Sequence, residues 1–208
     1  MDLYAKPLNP KQPVVCLDES PIQLLADARE CIPAKKPGEI LKRDSEYVRH
    51  GMANLFAVVE PKAGKHLTTI TKNRKSPKFA QMLAKIEQAY PEAETIHLVM
   101  DNLSTHGKKP LITFFGEKRG DAIWNRFTPH FTPKHGSWLN QAEMEIGIFR
   151  RQSLGKSRIP DIGSLRRRAG AWNRRANRKG LKISWKFTVE KARKKFHYKN
   201  AESIRSRN

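Results

Sequence analysis

Val14-Val15-Cys16-Leu17-Asp18-Glu19-Ser20-Pro21 and Ile96-His97-Leu98-Val99-Met100-Asp101 are the two stretches on which the fold turns. Each is a short apolar run with β-branched residues, closed by an acid, which is the pattern of a buried strand. In α/β sheets, ligands sit outside the carboxyl ends of the parallel strands. If the two runs pair side by side, Asp18 and Asp101 emerge at the same sheet edge.

The segments around these runs fill in an α/β arrangement with mixed strand directions. Residues 1–13, with Pro7, Pro10 and Pro13, read as a lead-in or linker. Ser20-Pro21 opens a short helix through residue 30, and residues 31–50 read as loop. Residues 53–60 and 65–71 read as two strands joined by a turn containing Gly64. Ser76-Pro77 marks a helix start, with Ser76 as cap, and Phe79, Met82, Leu83, Ile86 and Tyr90 follow at helical spacing up to Pro91. A helix over 111–116 or more, a strand over 127–131, and helices over 139–154 and 162–177 complete the series. The expected architecture is a mixed five-stranded sheet flanked by helices, with a basic helical extension at the C-terminal end. Its parts are the lead-in 1–13, a core over 14–155 and the basic region 156–208.

Charge narrows the partner. The 208 residues carry 41 Lys and Arg against 20 Asp and Glu, a formal net charge of +21. That is more than solubility requires, and such a field attracts polyanions, nucleic acid first among them. From residue 150 onward 20 Lys and Arg face 3 Asp and Glu, so the last 59 residues hold +17 and the first 149 only +4. Arg166, Arg167, Arg168, Arg174, Arg175, Arg178 and Lys179 recur along one helix-like segment around Trp172, and Lys191, Arg193, Lys194 and Lys195 continue the theme. The bland reading of such a run is a solvated face; the local shortage of acids favours contact with DNA phosphates, which gives affinity with little sequence reading. No stretch has the roughly 18 apolar residues of a membrane span, and no secretory pattern opens the chain. Cys16 and Cys31 make no disulfide framework and read as free thiols of a reducing cytosol.

Acids placed on separate elements of a basic chain point to phosphodiester chemistry. Two divalent ions roughly 3.5–4 Å apart can activate an attacking oxygen and hold charge on the leaving one. Mg²⁺ takes oxygen ligands and keeps waters, so a few carboxylates and the substrate's phosphates suffice. Asp18 and Asp101 supply two, and the helix after residue 139 supplies a third. There Leu139, Ala142, Ile146 and Phe149 define one face, with Glu143 and Glu145 flanking it on opposite sides, and helical phase does not choose between them. Each Asp taken singly reads more often as a turn-former than as a ligand.

Three blocks carry a resemblance: residues 14–21, residues 98–106 (Leu-Val-Met-Asp-Asn-Leu-Ser-Thr-His) and residues 131–143 (Phe-Thr-Pro-Lys-His-Gly-Ser-Trp-Leu-Asn-Gln-Ala-Glu). Residues 51–61 and Trp185-Lys186-Phe187-Thr188 add to them. Together they resemble the signature of bacterial insertion-sequence transposases of the mariner superfamily, over about residues 12–196. The resemblance implies a ribonuclease-H-like fold and a DDE triad of Asp18, Asp101 and Glu143 binding two Mg²⁺ or Mn²⁺ ions, which selects Glu143 over Glu145. It further implies cleavage of double-stranded DNA at transposon ends, strand transfer into target DNA, and a homodimer at synapsis in a cytoplasmic, nucleoid-associated setting. The chain reaches its first acidic strand by residue 14, so the N-terminal helix-turn-helix region of such transposases is expected to be missing.

Neighbouring residues have bland and functional readings. His106 and His135 are expected either to orient a phosphate or metal-bound water or to make a loop hydrogen bond. Trp138 reads as a loop anchor or a base-stacking ring. Glu19 and Glu60 read as surface groups or supports behind the triad. Other function classes that fit the composition are a non-catalytic basic nucleic-acid-binding protein, an inactive transposase remnant, and a nuclease or resolvase of the same fold that cuts without joining.

Overall fold

A computed structural model describes residues 2–133 and 136–196. Helix α1 (Asp2–Ala5) precedes strands β1 (Val14–Asp27), β2 (Tyr47–Glu60), β3 (Lys65–His66) and β4 (Thr69–Thr71). Then come α2 (Ser76–Ala89), β5 (Ile96–Met100), α3 (Lys108–Phe115), α4 (Glu117–Trp124) and β6 (Phe127–Phe131). Last come α5 (Ala142–Phe149), α6 (Ile162–Lys179) and α7 (Val189–Phe196). The strands form one mixed sheet in the order β3-β2-β1-β5-β6, with β4 also paired to β2. β1 runs antiparallel to β2 and parallel to β5, and β5 runs parallel to β6.

Alternation of side chains across the sheet builds two cores. Val15 and Leu17 join Phe56, Val58, Leu98 and Met100 on one face, beneath Phe79, Met82, Leu83 and Ile86 of α2, Leu111 of α3 and Ile123 of α4. The opposite face meets α5 and α6: Ile22, Leu24, Leu55 and Ile70 pack with Phe149, Leu165, Ala169, Trp172 and Ala176. On that same face Cys16, Val59 and Val99 pack with Ala142. The result is three layers, helices on both sides of a sheet. Among the described residues no helix is long and apolar enough to cross a membrane.

Several local expectations are corrected. The helix expected over residues 20–30 is strand, because β1 continues to Asp27 against β2. Pro21 is tolerated because β1 pairs with β5 only over residues 14–16, so farther along β1 has a ladder on one side. The loop expected up to residue 50 ends earlier, since β2 begins at Tyr47. The strand expected over 65–71 is divided into β3 and β4, so the sheet has six strands where five were expected. Lys75, not Ser76, is the N-cap of α2, with no side-chain cap bond. The long helix expected from residue 139 is a 3₁₀ turn (Ser137–Leu139), α5 and a π-helical turn (Arg150–Leu154).

Side chains cap one margin of the sheet, and a proline interrupts the other. At β3 and β4, Asn173 bonds both backbone groups of Thr68 (3.0 and 2.7 Å), and Asn177, one helical turn on, bonds both of His66 (2.7 and 3.0 Å). At the far margin, β6 carries Pro129 in its middle, level with Leu98. The turn into β3 needs glycine: Gly64 has φ +69°, and a Cβ there would lie 2.8 Å from the carbonyl carbon of Gly180.

Candidate active site between β1, β5 and α5

The register of β1 with β5 sets Val14 against His97, Val15 against Leu98 and Cys16 against Val99. Two residues beyond that ladder lie Asp18, still within β1, and Asp101, just past the end of β5. Alternation then places Asp18 on the face of Cys16 and Asp101 on the face of Val99, and both of these pack with Ala142 of α5. Glu143 is the next residue of that helix. Sheet register and one packed helix thus bring three distant acids into one neighbourhood.

Asn140 fixes the helix to the strand. Its buried Nδ2 donates to the Leu17 carbonyl at 2.7 Å, while its Oδ1 accepts from the Ala142 N–H at 3.1 Å. Tyr4 adds a second tie, donating from its hydroxyl to the Leu139 carbonyl at 2.8 Å beside Cys16 Sγ at 3.4 Å. At the end of α5, Arg150 donates to Ser20 Oγ (2.9 Å) and the Pro21 carbonyl (2.8 Å).

The two glutamates of α5 part company. Glu145 is fully buried, its Oε1 2.6 Å from Nδ1 of buried His66, whose Nε2 is 2.9 Å from the Leu181 carbonyl. Glu143 is exposed. The Asp18 carboxyl is pushed up to about 6, first by burial and then by the charges of Asp101, Glu143 and Glu19, against a hydrogen bond from the Glu19 N–H at 2.7 Å. The charges of both Asp101 and Glu143 are thus felt at Asp18.

Behind Asp101 stands His106, whose side chain is 1% exposed. Its Nδ1 lies 3.1 Å from the Asp101 carbonyl oxygen and 2.6 Å from Asp101 Oδ1; its Nε2 lies 3.2 Å from Glu19 Oε1. The ring stacks on Phe79, centroids 4.5 Å apart. Burial opposes protonation of His106, yet the bonds and charges of Glu19 and Asp101 outweigh it and raise its pKa. Glu19, expected as a surface or supporting group, is buried at its side chain. Glu60 is buried too, and that burial raises its carboxyl. His135 lies outside the described residues. Trp138 is partly exposed and meets Phe187 edge-on at 5.3 Å.

The seven basic residues singled out on α6 are all exposed, while Leu165, Ala169, Trp172 and Ala176 form its buried stripe. The helix is capped by Asp161, which accepts from the Ser164 N–H, and ends at Gly180 in the left-handed conformation. Cys16 and Cys31 are free thiols. The roles of Asn140, His66 and Glu145 have no signal in the sequence, since each bonds a residue far away along the chain.

Donor chemistry fits a hard divalent cation. The acids offer only oxygen, and Asp18 is raised first by burial and then by the neighbouring negative charges of Asp101, Glu143 and Glu19. Among the described residues no three His, Cys, Asp or Glu are gathered closely enough to hold an ion by themselves. A cation such as Mg²⁺ completes its shell with waters and substrate oxygens.

Residues 13–166 match the family model described as DDE superfamily endonuclease. No curated protein matches the chain. Among solved structures the fold is similar to the Mos1 mariner paired end complex with Mn, with TM-score 0.54, 14% identity, and coverage of 86% of this chain and 54% of that one. It is also similar to the Mos1 strand transfer complex, with TM-score 0.54, 13% identity, and coverage of 82% and 51%. The chain spans about half the length of these structures. Their shared ribonuclease-H-like fold is the architecture expected from the sequence.

Proposed function

We propose, for a chain that belongs to the DDE superfamily endonuclease family, that it is the catalytic portion of a mariner-type DNA transposase. Its reaction is divalent-metal-dependent cleavage of double-stranded DNA at transposon ends, followed by strand transfer into target DNA. Asp18, Asp101 and Glu143 are the catalytic, metal-holding residues. The observation that carries this reading is the convergence of β1, β5 and α5, felt as the effect of the Asp101 and Glu143 charges on the Asp18 carboxyl.

A pair of Mg²⁺ or Mn²⁺ ions, when bound, supplies an attacking oxygen of lowered pKa and charge stabilisation at the leaving oxygen. The chain's own residues do the rest. Asp18 presents oxygens from within β1 and Asp101 from just past β5, and Glu143 presents another from a helix bolted to Leu17 through Asn140. The exposed row Arg166, Arg167, Arg168, Arg174, Arg175, Arg178 and Lys179 grips the DNA backbone. Two copies pair at synapsis, in a cytoplasmic, nucleoid-associated setting. The Mos1 structures, paired end and strand transfer complexes, support this assignment by fold.

Nicking of supercoiled plasmid in Mn²⁺ tests it. The wild-type chain is expected to nick and Asp101→Asn to lose at least about a hundredfold of that rate, on the order of the loss of a catalytic group. Equal nicking by both would remove the triad from the reaction and leave a basic DNA-binding protein. Joining of a precut 3′-hydroxyl duplex to the plasmid separates a transposase from a nuclease that only cuts.

A further inference from the structure

We propose that His106 is a positioning residue for Asp101, braced from behind by Glu19. Asp101 lies just past the end of β5, and its side chain is 35% exposed, so the ladder alone does not hold its carboxylate. His106 returns from the same loop, its backbone N–H bonded to the Leu103 carbonyl at 2.9 Å. Its Nδ1 hydrogen-bonds the Asp101 carbonyl oxygen at 3.1 Å and stands in ion-pair contact, 2.6 Å, with Asp101 Oδ1, which has no hydrogen-bond partner of its own among the described residues. The far nitrogen, Nε2, faces Glu19 Oε1 at 3.2 Å, and the ring plane rests on Phe79. The imidazole is thus fixed by an acid ahead, an acid behind and an aromatic face beneath.

The brace crosses elements. Glu19 follows Asp18 on β1, whereas His106 and Asp101 belong to the connection from β5 to α3. The Glu19 side chain is 3% exposed, and its second oxygen, Oε2, meets no hydrogen-bond partner among the described residues. A buried carboxylate with one oxygen bonded to a ring nitrogen is costly without a cationic or donating partner. Glu19 and His106 therefore stabilise each other, and the pair couples β1 to the orientation of Asp101. Supports of this kind, behind a ligating carboxylate, typically contribute roughly ten- to hundredfold in metal affinity or activity.

The inference rests on the triad reading above, and the experiment separates the two. Mn²⁺ binding to the full chain, followed by electron paramagnetic resonance of the free ion, is compared for wild type, Asp101→Asn, His106→Ala, His106→Asn, His106→Gln and Glu19→Gln. Binding by Asp101→Asn that equals wild type overturns the triad reading itself. With Asp101→Asn weakened, His106→Ala is expected to bind roughly tenfold or more weakly. His106→Asn, which keeps a donor where Nδ1 stood, is expected to recover most of the affinity; His106→Gln, whose donor reaches toward Glu19, is expected to recover little. A ring that only fills space would give no such split, and His106→Ala binding as wild type overturns the inference. Should His106→Ala fail to fold, Glu19→Gln decides: weakened Mn²⁺ binding supports the brace, and unchanged binding overturns it.

Discussion

Asn140, three residues before Glu143, donates from Nδ2 at 2.7 Å to the carbonyl of Leu17, the residue before Asp18. This buried amide is one of the ties that hold a strand-borne acid and a helix-borne one together. Asn140→Ala leaves the Leu17 carbonyl and the Ala142 N–H without their partner, at about 2 kcal/mol of stability. Denaturant unfolding should show that loss. Mn²⁺-dependent nicking should fall at least about tenfold under conditions where the variant stays folded, as expected when a group supporting a metal ligand is removed. Unchanged nicking would mean that α5 is held by other means.

Asp18 makes the metal-free protein sensitive to pH. Its folded pKa of about 6 lies above the ordinary 3.8, so the folded state holds the proton through that interval. Stability from this group is greatest below about pH 4 and is lost as pH rises toward about 6. Asp18→Asn is therefore expected to be more stable than wild type by about 1–2 kcal/mol near pH 7.5, the shift being discounted for partial solvent screening. The gain should disappear below about pH 4. Denaturant melts at both pH values, in chelator, measure it, and a variant no more stable at the higher pH would contradict the cause assigned here.

His66 and Glu145 form a buried pair between the sheet margin and α5. His66→Ala strands the Glu145 carboxylate in the core and should cost about 3–5 kcal/mol. Replacing both partners with apolar residues of similar size should recover part of that deficit. Thermal unfolding of the single and double variants checks the order.

The exposed arginines of α6 should register in salt dependence. Arg167, Arg174 and Arg178 changed together to Ala should flatten the slope of log affinity against log salt for duplex DNA by roughly 2–3, at about 0.9 for each phosphate no longer neutralised. The drop in affinity should be similar for unrelated sequences. An unaltered slope would show that the helix faces away from the duplex.

The strands carrying Asp18 and Asp101 were legible because apolar, β-branched runs ending in an acid have few other readings. The stretch from Ser20 to Asp27 was not, because Pro21 and the run Gln23-Leu24-Leu25-Ala26-Asp27 look like a helix start when the one-sided ladder to β2 is unseen. Glu143 and Glu145 were indistinguishable by helical phase, since the difference lies in a tertiary partner, His66, on β3. His106 was visible as a neighbour of Asp101, but its link to Glu19 joins residues 87 apart. Local pattern reads elements, whereas long-range pairing decides which polar groups are committed to the core.

The closures at the two sheet margins limit how copies of this chain can meet. Asn173 and Asn177 already occupy the backbone groups of Thr68 and His66, and Pro129 offers no N–H from the middle of β6. An incoming strand finds the backbone groups of Thr68 and His66 already bonded and one donor missing at β6, which disfavours sheet extension at these margins. Under the proposed function, two copies are therefore expected to associate through loops, helices or the nucleic acid itself.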